Sequence, residues 1–280
     1  MRYHVVIPAR HDSSRLPGKP LLDIAGRPMV WHVVQRAYES RAHSVVVATD
    51  DQRISDAVCA FEGDVCMTGT HHQSGTDRIA EVALAMGWDD DEVVVNLQGD
   101  EPLMPPDMLD QVAWALHEHA QASVATLGVP LESDEVFNSN AVKVVTDRNG
   151  MALYFSRAAI PWKRGVFEDG SADPRGMYRH LGLYAYRVGF LRRYVNWEPA
   201  PIEQQESLEQ LRVLWQGERI AVALVESAPP AGVDTEEDYL RVLACMADDS
   251  DTAGERNGPH KLDSAISASS GQAASLAADS

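Results

Sequence analysis

Three basic side chains, Arg10, Arg15 and Lys19, lie close together after the first β-type segment of the chain. The 280 residues include 24 Lys and Arg, so three within ten residues concentrate positive charge. Arginine fixes anionic oxygens in pairs and lysine adds a mobile point charge, the combination expected around a polyphosphate. Pro17-Gly18 favours a turn that lets backbone approach a ligand. The segment is not a Walker loop, because the first glycine of that motif is absent, and no G-x-G-x-x-G occurs. A solvated basic loop is the alternative interpretation.

Two carboxylates follow another β-type segment, in the sequence QGDEP at 98–102. An aspartate at the end of a buried strand is well placed to hold Mg²⁺ on a nucleotide, because Mg²⁺ prefers one or two carboxylates together with phosphate oxygens. Helix capping or turn formation is the other common use of an aspartate at such a position. Asp100 is therefore our candidate ligand, and we interpret Glu101 as a turn residue or a support behind the ligand.

A second acidic candidate, Asp234, precedes the last predicted helix in the sequence GVDT. Thr235 followed by Asp238 is typical of a helix N-cap, which leaves Asp234 to point elsewhere. From the residues alone, capping is the more common use of an aspartate here. A shared metal would require Asp100 and Asp234 to meet in space although they are far apart in sequence.

A third polar segment, HHQSGTDR at 71–78, is predicted to open a helix. Exposed backbone N–H groups at a helix N-terminus favour negative charge, and Ser74 and Thr76 add adaptable hydrogen-bonding groups. We interpret His71 and His72 as a surface pair, because adjacent positions do not easily face one metal ion.

Strands and helices alternate in the first half of the chain. Short β-branched runs at 3–8, 44–49, 64–68 and 92–98 are typical of strands buried on both faces of a parallel sheet. Amphipathic stripes between and after them predict helices near 29–37, 54–61, 76–86 and 108–117. The alternation predicts a three-layer α/β fold, whose ligands bind beyond the carboxyl ends of the strands.

The rest of the chain is less regular. Strands are predicted at 122–129, 141–146, 151–156, 179–187 and 219–226, and helices at 201–216 and 235–246. We expect one domain over 1–247, with a smaller sheet-rich lobe over about 122–190 set into it. Residues 248–280 contain seven alanines, seven serines and no aromatic residue. Such a composition cannot bury enough apolar surface to offset the entropy of ordering, so we expect a disordered tail.

Composition narrows the classes of function. The 42 acidic residues against 24 basic ones give a formal charge of −18, which disfavours broad binding to nucleic acid or to anionic membrane. No signal peptide or membrane span is recognisable, and three cysteines offer neither metal spacing nor a disulfide framework. We therefore expect a soluble cytoplasmic protein without nucleic-acid or membrane partners.

The sequence IPARHDSSRLPGKPL at 7–21 resembles the N-terminal signature of sugar-acid cytidylyltransferases, specifically the 3-deoxy-manno-octulosonate (Kdo) cytidylyltransferase, or CMP-Kdo synthetase, family. The resemblance continues through HHQSGTDR (71–78), VNLQGDEP (95–102), NAVKVV (140–145), ALYFSRAAIPW (152–162), YRHLGLYAYR (178–187), LEQLRVLWQGERI (208–220) and GVDTEEDYLRV (232–242). It covers residues 1–247 and implies a nucleotidyltransferase-type mixed sheet, Rossmann-like and GT-A-like. Ser207 departs from the family pattern, which has an apolar residue there.

The resemblance implies roles for particular residues. Asp100 and Asp234 match the metal-binding aspartates, and Arg10 and Lys19 join them as catalytic residues. The implied nucleotide-binding residues are Pro8, Ala9, Arg10, Arg15, Lys19, Ser74, Arg78 and Gln98. The implied sugar-acid-binding residues are Gln98, Arg157, His180, Tyr184 and Glu209. An arginine at a strand end suits a carboxylate, although an ion pair with a neighbouring charge is the alternative for Arg157 and for Glu209.

The implied reaction joins CTP and Kdo to give CMP-Kdo and diphosphate, for lipopolysaccharide biosynthesis. The anomeric hydroxyl attacks the α-phosphorus in line, with Mg²⁺ held by the two aspartates and with positioning and charge neutralisation dominating the barrier. The resemblance also implies a homodimer. An 8-amino relative of Kdo remains an alternative substrate, a sialic acid is a weaker one, and a non-catalytic nucleotide-binding regulator would not need both aspartates.

Overall fold

A nine-stranded mixed β-sheet forms the centre of the molecule in a computed structural model that describes residues 1–11, 16–72 and 74–253, with side chains described as far as Met246. The strands of the described residues, of which β2 and β3 lie outside this sheet, are β1 (Tyr3–Pro8), β2 (Asp23–Ile24), β3 (Arg27–Pro28), β4 (Ser44–Thr49), β5 (Val65–Met67), β6 (Val93–Asn96), β7 (Val124–Pro130), β8 (Lys143–Thr146), β9 (Ala152–Ser156), β10 (Tyr178–Arg187) and β11 (Ile220–Leu224). The helices are α1 (Met29–Tyr38), α2 (Gln52–Cys59), α3 (Gly75–Ala85), α4 (Pro106–Glu118), α5 (Val188–Tyr194), α6 (Pro201–Glu206), α7 (Gln210–Trp215) and α8 (Glu236–Ala253).

The strand order is β11-β7-β10-β6-β1-β4-β5, and β8 and β9 extend the sheet from β10. Strand β1 pairs in parallel with both β4 and β6, while β10 runs antiparallel between β6 and β7. The small pair β2–β3 is separate. Because the carboxyl ends of β1 and β6 lie side by side, the loops that follow them meet at one edge of the sheet.

The two faces of the sheet carry separate apolar cores. Along β1, Val5 and Ile7 pack towards α1 and α4, whereas Val6 packs towards α3, α5 and α7. All five residues of the predicted stripe on α1 are buried: Met29, Val30, Val33, Val34 and Ala37. Burying a valine or leucine side chain contributes about 1.5–3 kcal/mol, so these two layers supply much of the driving force for folding. The three-layer α/β prediction is confirmed.

The predicted strands are present with no end shifted by more than two residues, but the helix predicted over 201–216 is wrong. The segment forms α6 and α7, and Ser207 between them adopts a left-handed conformation with φ 52°. Arg157 stabilises this break, because its guanidinium donates to the carbonyl oxygens of Glu206 and Ser207 at 2.7 and 3.3 Å. Apolar periodicity alone does not reveal such a break, since the side-chain pattern resumes in the next turn.

The last helix and the middle strands refine two further predictions. Helix α8 continues to Ala253, so it overlaps the first six residues of the predicted tail, and residues 254–280 lie outside the described residues. Strands β7 and β10 of the predicted lobe are integral to the central sheet, whereas β8 and β9 project from it. The lobe boundaries stay a prediction. No helix in the described part of the chain is long and apolar enough to cross a bilayer.

Candidate active site

Lys19 lies between the two aspartates that the sequence singled out. Its Nζ donates to Asp100 Oδ2 at 2.6 Å and to Asp234 Oδ1 at 3.1 Å. The Lys19 side chain is 12% exposed, whereas those of Asp100 and Asp234 are 29% and 64% exposed. The fold thus brings two carboxylates from opposite ends of the chain to one cation, at a place that a solvent-borne ligand can reach.

Lys19 reaches this position through a turn after β1. Gly18 adopts φ 71°, a conformation that favours glycine, and its N–H donates to the His11 carbonyl at 2.9 Å. Residues 19–21 then form a short 3₁₀ helix. The hydrogen bond closes the basic loop at its base and turns Lys19 back over the sheet edge. Arg15, which was predicted to bind nucleotide, lies outside the described residues.

Asp100 follows β6 at a point where two chain segments touch. A Cβ on Gly99 would stand 2.8 Å from the Pro8 carbonyl oxygen, closer than side chains approach backbone in real proteins. The glycine therefore allows the loop after β6 to lie directly against the end of β1. This close approach brings Asp100 within reach of Lys19, which follows β1.

We expect Gly99→Ala to force these two loops apart. The variant should lose about 1–3 kcal/mol of unfolding free energy, the usual range for overpacking, and should lose activity as Asp100 moves away from Lys19. Thermal unfolding and turnover measure the two effects. Gly182→Ala is a useful control, because that glycine, like Gly99, has no positive φ, but no atom lies within 4 Å of its added Cβ. Equal activity losses in the two variants would contradict this explanation.

Asp234 is positioned by its neighbour Val233. That side chain is fully buried in a small apolar cluster with Ile24, Met29 and Val242, which joins α8 to β2 and α1. The Val233 N–H donates to the Asp100 carbonyl at 2.8 Å, so the backbone before Asp234 is docked onto the backbone of Asp100. This cluster explains how residues so far apart in sequence meet.

The predicted cap beside Asp234 is confirmed. The Asp238 N–H donates to Thr235 Oγ1 at 3.2 Å, and the Thr235 N–H donates to Asp238 Oδ2 at 3.0 Å. Because Thr235 and Asp238 complete the cap, the Asp234 carboxylate is directed to Lys19 rather than to the helix terminus.

The carboxylates of Asp100 and Asp234 stabilise a positive charge placed between them, as the pKa of Lys19 shows. Burial lowers the pKa of Lys19, but its bonds to Asp100 and Asp234 outweigh burial and raise that pKa overall. Burial, with the charges of Asp100 and Asp234, raises the pKa of Glu101 to about 8. Glu101 is therefore a half-buried acid that the charges of the two aspartates influence, and more than a turn residue.

Arg10 lies at the end of β1 with part of its guanidinium uncompensated. Its buried Nη2 has no hydrogen-bond partner among the described residues. Burial and the nearby Arg78 lower the pKa of Arg10, while the charges of Asp50, Asp77 and Glu209 raise it. A buried donor without an acceptor is costly, and an anionic ligand would supply one.

Arg78 is held by protein groups at both of its terminal nitrogens. Its side chain is fully buried, and its guanidinium donates to Asp50 Oδ2 at 2.7 Å and to Thr68 Oγ1. These bonds hold the loops after β4 and β5, and the predicted contact of Arg78 with a nucleotide stays a prediction. Ser74 caps α3, where its Oγ accepts from the Asp77 N–H at 3.1 Å.

The two histidines differ from the surface pair predicted for them. His72 is largely buried, with 10% of its side chain exposed, and its Nε2 pairs with Glu81. His71 remains exposed and its ring lies 4.4 Å from that of His72. Glu81 lies on α3, nine residues after His72. It was not recognisable as a partner from sequence, because it approaches His72 only once the helix and the loop before it have folded.

A cavity of about 100 Å³ opens beside the edge of the sheet and collects three of the five predicted sugar-acid residues, Gln98, Tyr184 and Glu209. The other lining residues are Gly75, Thr76, Asn96, Val124, Tyr186, Tyr194, Gln210 and Val213. Asn96, Tyr186 and Tyr194 were missed, although a polar Asn96 within an apolar strand run was a usable signal.

His180 and Arg157 lie outside this cavity. The His180 ring is 5.4 Å from that of Tyr184 and faces an adjoining cleft, and burial lowers its pKa to about 3, so it is a neutral hydrogen-bonding group. The Arg157 guanidinium donates only to backbone carbonyls, at Ser139, Glu206 and Ser207. These bonds brace the turn between α6 and α7, and the predicted carboxylate-binding role of Arg157 stays a prediction.

Comparisons with known proteins agree with this site. A family model described as "Cytidylyltransferase" matches residues 4–220. A 3-deoxy-manno-octulosonate cytidylyltransferase of Vibrio vulnificus (strain YJ016) is 58% identical over 249 residues, which are 88% of this chain and 99% of the relative. The enzyme of that name from Idiomarina loihiensis is 57% identical over 252 residues, covering 89% and 100% of the two chains.

A solved structure is similar over the same region. It is described as CMP:2-keto-3-deoxy-manno-octonic acid synthetase complexed with CTP, and it superposes with a TM-score of 0.81 at 41% identity, over 89% of this chain and 100% of that one. The fold, with its acidic and basic cluster at the sheet edge, is that of a nucleotidyltransferase. The chain belongs to the cytidylyltransferase family, in the branch of the 3-deoxy-manno-octulosonate cytidylyltransferases.

Proposed function

We propose that this protein transfers the cytidylyl group of CTP to Kdo, giving CMP-Kdo and diphosphate for lipopolysaccharide biosynthesis. The convergence of Lys19, Asp100 and Asp234 at the carboxyl ends of β1 and β6 is the observation that carries the proposal. Relatives with more than half of their residues identical bear the name of this enzyme, and the similar solved structure is described as complexed with CTP.

The nucleotide is expected along the end of β1. Pro8 and Ala9 supply backbone there, and Arg10 carries the uncompensated Nη2 that a phosphate oxygen would satisfy. Lys19 stands over the same edge and would add a second positive charge against the phosphates. Arg15 belongs to the same loop by sequence. The three basic residues Arg10, Arg15 and Lys19 would together neutralise the charge that grows on diphosphate as it leaves.

A divalent cation, Mg²⁺, fits the two aspartates. Asp100 and Asp234 already converge on one cationic group, and no cluster of three or more ligating side chains occurs among the described residues. Two carboxylates with phosphate oxygens completing the coordination are what Mg²⁺ prefers. When bound, the ion supplies positive charge against the phosphate oxygens of CTP.

The acceptor sugar is expected in the cavity of Gln98, Tyr184 and Glu209. Its anomeric hydroxyl oxygen forms the new bond to the α-phosphorus of CTP and loses its proton to solvent, the bond from that phosphorus to the bridging oxygen breaks, and diphosphate departs. The protein's residues hold the two anions in register, and this positioning replaces covalent catalysis. The homodimer implied by the resemblance and the cytoplasmic location expected from the sequence stay predictions.

Release of diphosphate from CTP tests the proposal. The purified chain with Mg²⁺ would be given Kdo, an 8-amino relative of Kdo or N-acetylneuraminate in parallel. We expect the highest kcat/KM with Kdo and no release without a sugar acid. Preference for either of the other acids would reassign the substrate, and CTP binding without any release would indicate the non-catalytic regulator instead.

A further inference from the structure

Glu209, the acidic wall of the cavity, is held by a tyrosine that the proposed reaction has not used. The Tyr194 hydroxyl donates to Glu209 Oε1 at 2.7 Å, and Tyr194 is 1% exposed. Burial and the charge of Glu209 raise the pKa of Tyr194, so the phenol keeps its proton and remains the donor. One carboxylate oxygen of Glu209, Oε1, therefore already accepts a hydrogen bond from the protein.

An ion pair holds the tyrosine from its other side. The Arg212 guanidinium lies 4.8 Å from the centre of the Tyr194 ring, and it donates twice to Glu203, at 2.8 and 2.6 Å. The side chains of Glu203 and Arg212 are only 11% and 14% exposed. Glu203 also accepts from the Ala200 N–H at the start of α6, at 2.9 Å. The tyrosine is therefore fixed between a braced ion pair and the glutamate, with little freedom to turn away.

The described lining of the cavity contains an acidic residue and no basic one. Glu209 is its one carboxylate, and none of the described lining residues is Lys, Arg or His. Hydroxyl groups can donate to a carboxylate acceptor, whereas a carboxylate placed against Glu209 would be repelled in a partly desolvated site. The cavity thus suits the polyhydroxyl part of a sugar acid better than its acidic end.

We propose that Tyr194 is a positioning residue for the acceptor sugar. By occupying Oε1 it fixes the orientation of Glu209, so that the remaining oxygen accepts from hydroxyls of the sugar side chain. The sugar's carboxylate is then directed out of the cavity, towards the basic end of β1. This inference rests on the proposed function and adds the residue that sets the orientation of the substrate.

Tyr194→Phe removes the hydrogen bond and leaves the ring in place. We expect the KM for Kdo to rise at least about tenfold, the value of one hydrogen bond to a charged group, with the KM for CTP unchanged. Tyr3→Phe is the matched control, because Tyr3 is also 1% exposed and donates to a carboxylate, Asp110 Oδ1 at 2.6 Å, away from the cavity. Equal changes in the two variants, or equal rises for both substrates, would overturn the inference.

Glu209→Gln and the double variant show whether the tyrosine acts through the glutamate. We expect Glu209→Gln alone to raise the KM for Kdo, and the addition of Tyr194→Phe to raise it no further, because coupled residues are not additive. Independent, multiplying effects would overturn a role through Glu209. A lower KM in Glu209→Gln would also overturn the inference, since it would place the sugar's carboxylate at this wall.

Failure of this inference is distinguishable from failure of the proposed function. A wild-type chain that releases diphosphate with Kdo while Tyr194→Phe behaves like Tyr3→Phe contradicts the positioning role alone. A wild-type chain that turns over no sugar acid contradicts the proposed function, and the positioning role falls with it.

Discussion

Asp100→Asn is expected to lower turnover by about 10³-fold or more, a loss of several kcal/mol in transition-state stabilisation. The substitution keeps the shape of the side chain and removes the charge that, with Asp234, would hold the divalent cation. The Asp100 side chain is 29% exposed and its backbone carbonyl, which accepts from Val233, is unaffected by the change. The fold should therefore persist while the chemistry stops.

Circular dichroism and thermal unfolding verify the fold of this variant, and diphosphate release measures its turnover. Asp134→Asn is a suitable control, because Asp134 is an exposed aspartate in the segment that follows β7 and belongs to no part of the site. Near-normal turnover in Asp100→Asn would refute the metal-holding role.

Lys19→Ala is expected to reduce turnover by about 10²-fold, because the charge that develops on the departing diphosphate loses a partner. Affinity for the divalent cation should be retained, since the two carboxylates remain and a competing ammonium has been removed. The measurement is kcat with saturating CTP, Kdo and Mg²⁺, together with the KM for CTP.

Arg193→Ala controls for the loss of a cation, because it removes a partly exposed ion pair with Glu218, at 2.7 Å, and a hydrogen bond to the Gly189 carbonyl, at 3.0 Å. If Lys19→Ala changed the KM for CTP and left kcat as in Arg193→Ala, Lys19 would contribute ground-state binding and not transition-state stabilisation.

Local patterns were enough to predict the layers of the fold. The stripe on α1 repeats with the helical period, and the β-branched runs of β1, β4 and β6 are continuous, as strands buried on both faces require. These patterns record which face of an element is buried, and burial is what the layers share. The same patterns placed the candidate site at the ends of β1 and β6, because ligands of such sheets bind at strand ends.

The meeting of Asp100 with Asp234 was not readable from the residues. It depends on Val233 packing against Ile24 and Met29, a contact between segments that have no sequence relation. The resemblance supplied the pairing, and the structure supplied its cause.

The two arginines show a different limit. The resemblance marks Arg78 and Arg157 as ligand-binding residues. In the structure the terminal nitrogens of both guanidinium groups donate to protein acceptors. Whether an arginine faces a ligand or a carbonyl depends on tertiary contacts that composition and spacing do not encode.

The most direct test of the site is a Mn²⁺ titration followed by electron paramagnetic resonance, with CTP present, for wild type, Asp100→Asn and Lys19→Ala. Mn²⁺ serves as the probe because it takes the carboxylate and phosphate oxygens that suit Mg²⁺. We expect wild type and Lys19→Ala to bind the ion with similar affinity and Asp100→Asn to bind it at least about tenfold more weakly, the loss of one charged ligand. Binding by Asp100→Asn that equals wild type would contradict a divalent-cation site at Asp100 and Asp234.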